Sequence, residues 1–316
     1  MGGLFVRGGG ADARRATRRT VVSGLLGAGA LVLGSGFAQP GDVTGPVAAP
    51  TGAPEPEQPY DPGPRLPAAE PSHGGVVYET FTSAARGREV TWGHYVPHGF
   101  VPVGLPVVVT LHGRGGDARS SFEYLRMQDA LEQHVAGGGA PFALASVDGG
   151  LTYWHPRADG DDPLRMVTEE LLPRLAGLGL DTSRYGVHGI SMGGLGALIM
   201  AREATAGRLR GDGELVAVAA SSPALFPALD WASEGAFDSA ADFARWGALA
   251  SAPGVRGLPM TVSCGASDKF AGPTATYRSL VRPRPEGGIS RGDHTESYFR
   301  ARFPAQLAFL GSHLGA

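Results

Sequence analysis

Gly189-Ile190-Ser191-Met192-Gly193-Gly194 places one serine between glycines, after the β-prone run Arg184 to His188 and before the small-residue stretch Leu195 to Ala206. Gly-x-Ser-x-Gly at a strand-to-helix junction is the signature of a nucleophile elbow, where flanking glycines let backbone segments pass without a Cβ clash. Used as a nucleophile, Ser191 would need a base within hydrogen-bond reach and a carboxylate to hold that base in one tautomer. Downstream, Asp268 follows the apolar run Met260 to Cys264, and His294 stands in the loop Arg291-Gly292-Asp293-His294 ahead of an amphipathic stretch. The chain order Ser, Asp, His matches that demand, with Asp268 orienting His294 and His294 activating Ser191. Asp268 as a helix cap and His294 as a solvated loop residue are the competing assignments. His188, inside the strand, reads as structural.

A negative oxygen developing on a substrate needs preorganised N–H donors. The backbone of Met192, next to the serine, supplies one. The glycine-rich turn Leu111-His112-Gly113-Arg114-Gly115-Gly116 supplies the other, from Arg114 first and Gly113 second. In the segment Asp148-Gly149-Gly150-Leu151-Thr152-Tyr153-Trp154-His155-Pro156-Arg157, Trp154 is a candidate pocket wall, His112 a candidate substrate contact, and His155 and Arg157 candidates for a polar substrate group. Structural packing competes for each. Asp159, Asp161 and Asp162 form an acidic cluster that reads as a solvated loop, and no metal is assigned.

These residues need a scaffold, and β-prone and helix-prone runs alternate from His73 onward. Strands are expected at Val76 to Phe81, Val90 to Val96, Leu105 to His112, Phe142 to Val147, Tyr185 to His188, Leu215 to Ala220 and Pro259 to Cys264. Helices are expected at Ser120 to His134, Leu164 to Leu175, Gly194 to Ala206, Ala240 to Leu249, Thr274 to Val281 and Thr295 to Leu314. Ser120 and Glu123 have capping-box spacing. The nearly continuous apolar run Leu105 to Leu111 suits a strand covered on both faces. Together these predict an α/β fold: a mostly parallel sheet, antiparallel at one edge, with helices on both faces. Residues 221–258, rich in aromatics, are either a small cap or a crossover packed on the sheet.

The chain has 316 residues, 42% of them hydrophobic, enough for a sizeable core, and its net charge of −3 offers no basic field for nucleic acid. Arg14-Arg15-Ala16-Thr17-Arg18-Arg19 precedes an apolar run from Thr20 to Gly36, shorter than a membrane span, with small residues before Gln39. Residues 1–38 therefore read as an export signal of twin-arginine type, which predicts a secreted protein without stable membrane insertion. Residues 39–72, rich in proline, read as a disordered linker, and 73–316 as the catalytic domain. The single cysteine, Cys264, allows no intramolecular disulfide.

Leu111-His112-Gly113, Asp148-Gly149-Gly150, Gly189-Ile190-Ser191-Met192-Gly193-Gly194, Asp268 and His294 together resemble the "putative esterase" family of α/β-hydrolases. This family includes S-formylglutathione hydrolases and mycobacterial mycolyltransferase antigens. The resemblance implies a serine nucleophile with Asp268 and His294 as triad partners, and no cofactor. The function expected is hydrolysis of a small-molecule or glycan ester through an acyl-enzyme on Ser191. Acyl transfer to a sugar or cell-wall alcohol would use the same intermediate, and a non-catalytic binding protein on a degenerate fold is the alternative of another class.

Overall fold

In the computed structural model, residues 75–315 are described; the expected export signal and proline-rich linker lie outside them. The strands are β1 (Val77–Ser83), β2 (Arg88–Tyr95), β3 (Pro106–Leu111), β4 (Ala143–Val147), β5 (Asp181–Ile190), β6 (Glu214–Ser221), β7 (Met260–Gly265) and β8 (Glu286–Ser290). They form one sheet in the order β1-β2-β4-β3-β5-β6-β7-β8. β1 and β2 are antiparallel to each other, as are β2 and β4, and every later pair is parallel.

Two apolar layers cover this sheet. Side chains alternate along β3, so Val107, Val109 and Leu111 join one layer while Val108 joins the other. That alternation explains the unbroken apolar run: both faces of the strand are buried. The helices are α1 (Met127–Ala136), the short turn α2 (Pro163–Arg165), α3 (Leu172–Gly177), α4 (Met192–Thr205), α5 (Ala240–Trp246), α6 (Ala248–Ser251), α7 (Ala271–Leu280) and α8 (Glu296–Leu314). α4 contributes to the first layer and α8 to the second. Among the described residues no helix is long and apolar enough to cross a membrane.

Three expectations need correction. The helix expected from Ser120 to His134 is broken: a π-helical turn spans Ser120–Tyr124, Arg126 adopts φ 53°, and α1 starts only at Met127. Ser120 does not cap it, because its Oγ accepts the Asp117 N–H at 2.9 Å. The stretch expected as one helix from Leu164 to Leu175 comprises α2, a π-helical turn at Met166–Leu171 and α3. The sequence reading also missed β8, Glu-Gly-Gly-Ile-Ser, whose paired glycines carry no β-prone pattern; it forms as an edge strand registered on Thr261 to Gly265 of β7.

His188 lies buried on β5, its Nε2 3.1 Å from Gln306 Oε1 of α8, which also accepts the Ser221 hydroxyl at 3.0 Å. Burial pushes its pKa down to about 4, against the opposing hydrogen bond it donates to Gln306. Because this pKa is depressed on folding, the native state binds fewer protons than the unfolded chain as the pH falls. Its stabilising contribution is therefore present above the ordinary value of 6.5 and lost toward pH 4. The loss through this window is expected to be about 3 kcal/mol, and His188→Gln should flatten it. Urea unfolding across that pH range tests this, and parallel profiles for the two proteins would contradict it.

Candidate active site

The backbone turns sharply where β5 meets α4, and Ser191 sits there with φ 52° and ψ −114°. Such a conformation costs a non-glycine residue about 1–3 kcal/mol and persists only where its surroundings over-determine it. Here they do. The Ser191 N–H donates to Ser221 C=O at 3.0 Å, while Ser191 C=O accepts Leu195 N–H at 3.0 Å and Ala224 N–H at 2.9 Å. A Cβ on Gly189 would lie 2.0 Å from Gly193 C=O oxygen, and one on Gly193 would lie 2.0 Å from that of Leu111. Only glycine at both positions lets strand, helix and the end of β3 meet.

The loops after β7 and β8 bring two further groups to this turn. His294 Nε2 lies 3.0 Å from Ser191 Oγ, and His294 Nδ1 lies 2.7 Å from Asp268 Oδ2. The other Asp268 oxygen accepts the Phe270 N–H at 2.9 Å. Burial alone would push the Asp268 pKa up, but its hydrogen bond to His294, the imidazole's charge and the Phe270 amide hold it below the usual carboxylate value. Asp268 is thus an ionised acceptor, which puts the imidazole proton on Nδ1 and leaves Nε2 to accept from the serine hydroxyl. Phe270 and Phe299 meet the His294 ring edge to face at centroid distances of 5.6 and 5.2 Å, limiting its tilt.

The β3 loop passes alongside. A Cβ on Gly113 would stand 3.6 Å from Ser191 Cβ, so the glycine-rich turn flanks the serine directly. His112 sets this turn: its Nδ1 donates to Gly113 C=O at 2.8 Å and its Nε2 accepts Gly149 N–H at 2.9 Å. Trp154 Nε1–H donates to His112 C=O at 3.1 Å. A trans peptide directs its C=O and N–H to opposite sides, so pinning Gly113 C=O also fixes the direction of Arg114 N–H. Met192 is the first residue of α4, where an N–H has no acceptor within the helix.

His112 and Trp154 are therefore not placed as substrate contacts. Both are buried, Trp154 completely, with its side chain pressed so closely on α4 that a Cβ on Gly196 would lie 2.3 Å from its own. His155 and Arg157 also face inward. His155 stacks between Phe237 and Trp246, and Arg157 donates to the carbonyls of Gly235 and Ala236 and to Asp238. These contacts tie residues 221–258 to the segment after β4, and no residue of 221–258 is among those lining the cavity beside Ser191. The crossover packs on the body of the fold and is not a cap over this cavity. Asp161, expected in a solvated loop, instead makes a buried two-pronged ion pair with Arg86 at 2.8 and 2.9 Å.

That cavity has a volume of about 160 Å³. Gly113, Arg114, Leu125, Ile190, Glu296 and Phe299 line it together with Ser191 and His294. Sequence reasoning missed Leu125, Ile190, Glu296 and Phe299. Ile190 was findable, since it is the residue before the serine; the others depend on where α8 and the broken helix after β3 lie.

Residues 83–310 match the family model described as "Putative esterase". The chain belongs to this family. No functionally curated protein matches it. Among solved structures, this esterase is similar to an S-formylglutathione hydrolase from Agrobacterium tumefaciens, with TM-score 0.64 and 19% identity over 77% of this chain and 96% of that one. It is also similar to a ferulic acid esterase, with TM-score 0.62 and 18% identity over 76% of this chain and 98% of the other. A feruloyl esterase module from Clostridium thermocellum, complexed with sinapinate, aligns with TM-score 0.53 and 17% identity over 82% of this esterase and 96% of the module. These likenesses show a shared α/β-hydrolase fold, and the family makes the protein an esterase.

Arg86 underpins the loop that holds His112, because its Nη1 donates to Asp148 C=O at 2.6 Å while the rest of the guanidinium pairs with Asp161. Arg86→Met leaves Asp161 buried beside only the exposed Arg88 and is expected to cost about 3–5 kcal/mol in denaturant unfolding. Arg86→Met with Asp161→Leu should recover much of that loss, and a single variant as stable as wild type would refute it.

Proposed function

We propose that this esterase cleaves a carboxylic ester through an acyl-enzyme on Ser191. The reading rests on one observation, the unbroken chain of contacts from Ser191 Oγ to His294 at 3.0 Å and on to Asp268 at 2.7 Å. Ser191 Oγ attacks the ester carbonyl carbon and its proton passes to His294 Nε2. The resulting imidazolium is stabilised by the ionised Asp268. The carbonyl oxygen, now negative, takes hydrogen bonds from Met192 N–H and Arg114 N–H, with Gly113 N–H the secondary candidate. Collapse expels the alcohol, which takes the proton from His294. Water then repeats the sequence on the acyl-enzyme and releases the acid. No step calls for a cofactor.

The substrate is a small-molecule or glycan ester whose group next to the scissile bond fits about 160 Å³. Secretion is part of the proposal, on the strength of Arg18-Arg19 and the apolar run that follows them. An alcohol in place of water in the last step would give acyl transfer, and product analysis with added sugars separates the two.

Ser191→Ala is expected to lower kcat on a short-chain p-nitrophenyl ester by about 10⁴-fold or more and to abolish fluorophosphonate labelling. Equal turnover by both proteins would remove the proposal. His112→Ala frees the Gly113–Arg114 peptide and should reduce kcat/KM by about 10²-fold. The affinity for a trifluoromethyl ketone, which mimics the tetrahedral oxyanion, should fall in proportion. His112→Asn, which keeps a donor near the Nδ1 position, should recover part of both. An unchanged ketone affinity in His112→Ala would show that His112 does not act through the oxyanion donors.

A further inference from the structure

The cavity beside Ser191 holds one charged side chain that its surroundings leave unanswered. Ser191 and His294 face each other, and Ser120 Oγ accepts the Asp117 N–H at 2.9 Å. The Glu296 carboxylate lies 2.6 Å from the Arg300 guanidinium one turn along α8. Arg114 lines the same cavity, yet its Nε is buried with no hydrogen-bond partner, and among the described residues its guanidinium makes no ion pair. A guanidinium at the wall of a reaction cavity with no ion pair among the described residues can meet an acceptor that arrives with the ligand.

The kind of acceptor follows from guanidinium geometry. A guanidinium presents paired N–H groups that match the two oxygens of a carboxylate. Leu125, Ile190 and Phe299 make the remaining wall apolar, and about 160 Å³ is close to the volume that encloses a benzene ring. A short hydrocarbon segment ending in a carboxylate fits both features. Building on Ser191 as the nucleophile, we propose that this esterase selects esters bearing a carboxylate a few carbons from the scissile carbonyl, with the Arg114 side chain as the specificity-determining group. Its backbone N–H faces the oxyanion while its guanidinium reads the substrate's second charge. One residue would thus couple recognition to catalysis.

The test uses two isosteric ester pairs with the full-length protein. In the first, phenyl hemisuccinate is compared with phenyl 4-methylpentanoate, placing the charge on the acyl side. In the second, 3-acetoxybenzoate is compared with the acetate of 3-isopropylphenol, placing it on the alcohol side. Wild type should favour the charged member of at least one pair by about 10- to 100-fold in kcat/KM, the range of a charged hydrogen bond. The pair that responds identifies the side. Arg114→Met should bring that ratio to about one, whatever its basal rate, and Arg114→Lys should keep part of it. Phenylacetate should also inhibit wild type at least about tenfold more strongly than phenylacetamide, a measurement independent of any variant's folding. Ratios at or below one in both wild-type pairs, a preference surviving in folded Arg114→Met, or equal inhibition by acid and amide would each overturn the assignment. Turnover of the neutral esters and fluorophosphonate labelling of Ser191 report separately on the nucleophile, so that reading can stand while this one falls.

Discussion

Everything at this site depends on the backbone at Ser191, held at φ 52° and ψ −114°. That conformation lifts the hydroxyl above the end of β5 and starts α4 one residue later, so Met192 presents an orphan N–H beside it. Three backbone hydrogen bonds to Ser221, Ala224 and Leu195 keep it there, and two of these partners belong to β6 and the segment just after it. The strained turn is therefore stabilised by the sheet and not by the serine's own neighbours alone. The approach of Gly193 to Leu111 ties the same turn to β3, whose following loop carries Arg114. The placement of Ser191 and that of the candidate oxyanion donors are two consequences of one packing contact.

The histidines of this domain show how environment separates roles among identical side chains. His188 is completely enclosed and pushed down to about 4, so it stays neutral at ordinary pH and serves as a fixed donor to Gln306. Burial also lowers the pKa of His155, stacked between aromatic rings. His112 has both ring nitrogens committed to backbone groups, which locks its tautomer. Burial disfavours the charged form of His188 and His155, and the two backbone bonds of His112 fix its ring in place. His294 differs, since its side chain keeps 26% exposure and its Nδ1 faces an ionised carboxylate. An imidazolium formed there is compensated at once, the condition a proton shuttle needs.

The sequence was legible wherever local pattern and tertiary demand coincide. Strands β1 to β7 lie within a few residues of their expected positions; the runs of β3, β4, β6 and β7 are apolar and almost wholly buried, whereas the mostly exposed β1 shows β-prone residues without a buried run. Thr295 caps α8 through its side chain, as a helix start in that loop required. The convergence of Ser191, Asp268 and His294 was readable because order along the chain constrains their placement in this fold. Legibility failed where a tertiary partner decides. β8 forms only against β7, and the helix after β3 breaks at a left-handed Arg126 that no local signal marks. Trp154 and His112 were misread because an aromatic or imidazole near a strand end looks the same from sequence whether it faces a cavity or a helix. The buried partner of Asp161, Arg86, lies 75 residues away along the chain.

Fixing the crossover of residues 221–258 against His155 and Arg157 has a consequence for selectivity. In this arrangement the cavity's walls come from the β3 loop, the broken helix after it, the end of β5 and the first turn of α8. Those elements also carry Arg114 and adjoin His294, so they cannot change shape freely without disturbing the reacting groups. Substrate choice is then set by side chains projecting from a fixed backbone frame. Leu125, Ile190 and Phe299 bound the volume, and the proposed role of the Arg114 side chain is to set the charge. A site of this kind distinguishes substrates by the unpaired charge it would bury when the wrong one binds. Such discrimination is steeper than a difference in apolar contact alone.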